Sequence, residues 1–102
     1  MQGLQLLNRL PDNVRHAIIT KYGSLENYYK EVYSLYELEK RWFFIKTDEA
    51  KVKRQKIEDQ LFALEEELGK FGLEDGHVVL TVISSDYGDH VLNEYMKKMG
   101  LK

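Results

Sequence analysis

Apolar and polar positions alternate along the chain with a rhythm that lays out its elements. Between Ile57 and Phe71, apolar side chains fall at Ile57, Leu61, Leu64, Leu68 and Phe71. These steps of four and three line one stripe of an α-helix, because 3.6 residues complete a turn. Glu58, Asp59, Gln60, Glu65, Glu66 and Glu67 fill the gaps and keep the other face in water. Such a helix must pack its stripe on something. Upstream, Val14, Ala17, Ile18 and Tyr22 predict a helix over about 11–22, opened by Pro11 and Asp12 and ended by Gly23. Ser24 is the natural N-cap of a following helix. Its apolar positions, Leu25, Tyr28, Tyr29, Val32, Leu35, Tyr36, Trp42 and Phe43, form a broader and more aromatic face. Before Pro11, residues 3–9 read as a short helical or irregular arm that sets Leu4, Leu6, Leu7 and Leu10 on the core.

The segment 44–49 admits three readings. Tyr29, Tyr36, Phe43, Ala50, Ile57, Leu64 and Phe71 recur every seven residues with no slip. A continuous helix of about 47 residues, roughly 70 Å long, could then dimerise as a coiled coil. Its second seam position would carry Glu39, Lys46 and Lys53, or Lys40, Thr47 and Arg54, and so stay charged through the middle. The pattern therefore favours an antiparallel hairpin, with helices at 24–45 and 48–69 and Thr47 or Asp48 as the second N-cap. A strand over Trp42–Thr47 is the third reading; it would need a partner strand, and only the β-branched run in HVVLTVISS offers one. As a helix, that run starts at Asp75, reaches Ser84 and buries Val79, Leu80 and Ile83. A last helix, capped by Asp86 or Asp89, turns Val91, Leu92, Tyr95, Met96 and Met99 inward and stops at Gly100. The expected fold is mainly α: a single domain over 1–102 built on an antiparallel helical hairpin with flanking N-terminal and C-terminal helices. The alternative is α+β, with short strands near 42–47 and 78–83.

Composition narrows the classes. The net charge of −2 exerts no global pull toward nucleic acid or anionic membrane. Zero Cys removes disulfides, thiolate metal sites and Cys nucleophiles. No run approaches the roughly 20 apolar residues of a membrane span, and no signal peptide is visible. These features suggest a cytoplasmic protein with no membrane partner.

Local charge is more informative. From Lys40 to Lys56 the chain carries Lys40, Arg41, Lys46, Lys51, Lys53, Arg54 and Lys56, opposed only by Asp48 and Glu49. Trp42, Phe43 and Phe44 lie among them. In the hairpin this segment is the tip. Mixed cations and aromatics dock acidic protein grooves or hold phosphates and stack on bases; a solvated face with its aromatics turned inward has the same composition. The candidate binding residues are Lys40, Arg41, Trp42, Phe44, Lys46, Lys51, Lys53, Arg54 and Lys56. Glu58, Asp59, Glu65, Glu66, Glu67, Glu74 and Asp75 make the opposite end acidic, a second surface for steering a charged partner.

Catalytic and cofactor chemistry finds little support. Glu74 and His77 have E-x-x-H spacing, but only once, and dimetal bundles need it twice with two more Glu. His90 near Asp86 and Asp89 reads as ordinary capping, as does Ser84-Ser85-Asp86. No phosphate loop, dinucleotide fingerprint or HExxH occurs. A helix-turn-helix around Gly23 would present Glu26 and Glu31 to phosphates. The sequence thus suggests a non-enzymatic adaptor or inhibitor without cofactor, binding another protein. The alternative is a nucleic-acid-binding accessory protein using the tip 40–56, and a homodimer is among the partnerships the pattern admits.

Overall fold

The computed structural model describes residues 2–100 as five α-helices: α1 Gln2–Asn8, α2 Asp12–Tyr22, α3 Leu25–Phe43, α4 Asp48–Lys70 and α5 Gly76–Lys98. The boundaries follow local chemistry. Gly23 takes φ 93° and closes α2 by donating its N–H to the Ile19 carbonyl. Only glycine adopts that backbone without a steric penalty. The Ser24 hydroxyl accepts from the Asn27 N–H at 3.0 Å, and the Thr47 hydroxyl from the Ala50 N–H at 3.1 Å, so both expected N-caps are in place.

Helices α3 and α4 fold back on one another as an antiparallel hairpin, turning through residues 44–47. The longest dimension of the molecule is 43 Å, far short of the roughly 70 Å a continuous rod would span. Ala50, fully buried, lets the two helices approach beside the turn, and Ile57 closes the gap two turns further on. No strand occurs among the described residues. Trp42 and Phe43 end α3, and Val78–Ile83 lie inside α5, which excludes the α+β alternative. The β-branched run is helical because Val79, Leu80 and Ile83 are buried together, and tertiary burial outweighs a weak helical propensity.

The hub is α3, which packs on each of the other four helices, rather than the evenly striped α4. One core draws on all five: Leu7, Val14, Ile18, Tyr28, Val32, Leu68, Val79 and Ile83. It lies at the end of the hairpin away from the turn. Tyrosines extend it, with Tyr22 edge-on to Tyr28 at 4.9 Å and Tyr33 edge-on to Tyr87 at 5.5 Å. Gly3 sits where a Cβ would lie 2.7 Å from Ile83 and 2.9 Å from the Tyr29 ring, so α1 rides directly on α3 and α5.

Two expectations for the C-terminal third are corrected. Residues 76–98 form one helix, not two. Asp86 does not cap a new helix; its carboxylate accepts from the Gln2 and Gly3 N–H groups at 3.0 and 2.7 Å and from the Tyr29 hydroxyl at 2.9 Å. Ser85 donates to the Thr81 carbonyl, so its hydroxyl is satisfied without a break in the helix. Nor do Val91, Leu92, Tyr95 and Met99 turn inward. They are exposed, because α5 runs on past the end of the core.

Candidate functional site at the hairpin tip

The last turn of α3 and the first turns of α4 bring basic and aromatic residues to one end of the molecule. The turn leaves the C-terminal carbonyls of α3 without helical partners. Arg54, reaching back from α4, supplies them: its Nη1 donates to the Trp42 and Ile45 carbonyls at 2.7 Å each, with Phe43 at 3.4 Å. Its charge also opposes the negative end of α3. Lys53 lies over the half-buried Trp42 ring at 4.2 Å and pairs with Glu49 at 3.4 Å. Lys40 spans both phenylalanines, 5.6 Å from the Phe43 ring and 5.4 Å from that of Phe44, and the two rings meet edge to face at 5.0 Å.

These contacts divide the expected binding residues into two groups. Arg54, Lys53 and Trp42 hold the turn together. Lys40, Arg41, Lys46, Lys51 and Lys56 make no ion pair among the described residues, and their exposed charges remain available. Phe44 is 73% exposed. Lys56 is the outlying member, about 12 Å along α4 from Asp48. Phe43, read from the sequence as part of the inward face of its helix, is instead 58% exposed. The structure adds Ile45 and Val52, apolar and exposed beside it. Their signal in the sequence was the absence of any facing apolar stripe around 46–56, where α4 offers only Ala50 and Val52.

Two clefts flank the crossing of α3 and α5. The smaller, about 360 Å³, adjoins the tip and is lined by Tyr36, Glu39, Lys40, Phe43, Tyr87 and Val91, among others. Burial first, and then the nearby Glu58 carboxylate, hold the Glu39 carboxyl above its ordinary range. Tyr36 is pushed up to about 12, mainly by burial. The larger cleft, about 820 Å³, lies away from the tip and gathers Glu26, Glu37, Asp86, Asp89 and His90 around Tyr29 and Tyr33. Asp86 is already committed there to the start of α1.

At the acidic end, Glu67 is structural: it accepts from the Tyr22 hydroxyl at 2.5 Å and pairs with Lys21, tying α2 to α4. Glu74 lies in the loop before α5, so the E-x-x-H pair does not share a helical face. Among the described residues no group of three or more His, Asp or Glu could hold a metal ion, and no helix is long and apolar enough to cross a membrane. Compared with known proteins, the chain matches no family model, no curated protein and no solved structure.

Proposed function

We propose that this protein acts without catalysis, in the cytoplasm, by docking its hairpin tip on an acidic groove of another protein and so adapting or inhibiting that partner. The observation that supports this reading is the pairing of exposed apolar side chains with uncommitted cations. Phe43, Phe44, Ile45 and Val52 are exposed, and Arg41, Lys46 and Lys51 flank them in sequence without ion pairs among the described residues. Phenylalanine anchors within a charged rim are the usual arrangement of a protein contact. The turn beneath them is rigidified by Arg54 and Lys53, which lowers the ordering cost of binding.

The test is affinity capture with the tip intact and altered. Phe44→Ala and Lys46→Glu should each release a captured partner while leaving the helical circular dichroism unchanged. Substitutions at Trp42, Lys53 or Arg54 are unsuitable, since they loosen the turn itself. Retention of the partner by the Phe44→Ala, Lys46→Glu double variant would sink the reading.

A second reading, nucleic-acid binding, is favoured by Lys40 lying against two exposed rings, a platform on which a base could stack beside a phosphate. It requires measurable binding of single-stranded DNA or RNA at low salt that weakens steeply as salt rises. Anisotropy that stays flat at low salt eliminates it.

A further inference from the structure

We propose that the exposed half of α5, from Gly88 to Met99, pairs antiparallel with the same segment of a second copy of this chain. This contact adjoins the tip at Phe43 but does not use Phe44. Every residue from Gly88 to Gly100 is exposed except Met96, although the first half of the same helix is core. A free helical extension of this length is marginal in water. This one also contains Gly88 and the β-branched Val91, which weaken it further.

The extension is not evenly polar. Gly88, Val91, Leu92, Tyr95 and Met99 fall at steps of three, one, three and four, which places them on one stripe. Val91, Leu92, Tyr95 and Met99 are 39%, 55%, 58% and 60% exposed. Within this chain nothing lies within 4 Å of a Cβ built on Gly88, so no internal contact accounts for a glycine there. Close approach of another helix would.

The surface area fits a missing partner of the same kind. A compact chain of this mass exposes about 6,000 Å², whereas this one exposes 7240 Å². The surplus of about 1,200 Å², to which both the hairpin tip and the α5 extension contribute, exceeds the roughly 800 Å² that each partner covers in a standard stable interface. The radius of gyration, 15.1 Å, is likewise above the roughly 13 Å of a compact domain of this length.

Self-pairing is favoured by the order of the residues. An antiparallel two-fold axis between Leu92 and Tyr95 sets Leu92 against Tyr95 and Gly88 against Met99. Small then meets large at each end of the stripe, and each half repeats the other, as a two-fold contact requires. The second copy's Met99 would approach the cleft beside Gly88, whose walls include Tyr36, Phe43 and Tyr87. A polarizable thioether suits aromatic walls.

Light scattering or sedimentation equilibrium over a concentration series tests this. The wild-type chain should approach twice its 12.1 kDa mass. Leu92→Glu should raise the dissociation constant about tenfold or more. Should that variant lose helical signal, Gly88→Leu serves instead, because it favours the helix while blocking close approach. Phe44→Ala should leave the mass unchanged, which separates this contact from the tip. A wild-type chain that stays at 12.1 kDa up to about 1 mM, where even weak association shows, overturns the proposal. So does a dimer indifferent to both stripe variants.

Discussion

Single side chains set unequal costs in this fold. Tyr28 is fully buried, and its hydroxyl has no hydrogen-bond partner among the described residues. An unpartnered buried hydroxyl carries a desolvation penalty of about 1–3 kcal/mol. Tyr28→Phe should therefore stabilise the protein, by about 1 kcal/mol, and raise Tm by several degrees in a thermal melt; a drop would mean that the hydroxyl does find a partner. Glu39 carries a penalty of another kind. Because the folded state holds its proton more tightly than the unfolded chain does, the ionised carboxyl costs stability above its raised pKa, and that cost fades as pH falls below the ordinary carboxylate range. Glu39→Gln is expected to raise Tm by a few degrees at about pH 7 and to leave it unchanged at about pH 3. Equal gains at both pH values would show that charge is not the cause.

Among the elements, the hairpin turn depends on one side chain. Residues 44–47 contain no glycine or proline, and the seven-residue apolar recurrence runs through them unbroken. The chain nevertheless turns, because Thr47 caps α4 and Arg54 takes up the carbonyls that α3 leaves open. Hydrogen bonds to a charged donor are worth about 1.5–3 kcal/mol. Arg54→Ala should cost about 2 kcal/mol and speed amide exchange at the Ile45 N–H, which donates to the Trp42 carbonyl at 3.3 Å, measured by hydrogen–deuterium exchange. Arg54→Lys, with a point charge and no fork, should recover only part of the loss. The proximal end of the hairpin, held by Tyr28, Val32 and Leu68, should be indifferent to both.

The whole molecule is 43 × 39 × 22 Å, a slab about two helices thick. Its core lies at one end, so stability should fall off toward the other. Native-state exchange is expected to show the slowest amides around Tyr28–Val32 and Val79–Ile83. At concentrations low enough to keep the chain monomeric, the hairpin tip and the α5 extension should open with a far smaller free energy. Uniform protection across all five helices would mean that the tip and extension are held by contacts other than these. The same geometry separates two surfaces: a charged aromatic tip and an apolar stripe on α5, meeting at the cleft between Phe43 and Val91.

Much of this was legible from local pattern. The stripe of Ile57–Phe71, the caps at Ser24 and Thr47 and the stop at Gly23 are short-range matters of periodicity and backbone donors, and each determined its element. The charged seam around Lys46 and Lys53 was enough to disfavour a rod. What local pattern could not decide was where the core ends. Val91, Leu92 and Tyr95 have the spacing of buried residues, and Phe43 continues an apolar phase, yet all four are exposed because no other helix reaches them. The carboxylate of Asp86 and the guanidinium of Arg54 also looked like ordinary cap and surface charges. Their roles arise only when α1 docks on α5 and α4 folds back on α3, because a side chain's partner is fixed by which elements meet in space, and separation along the chain does not encode that.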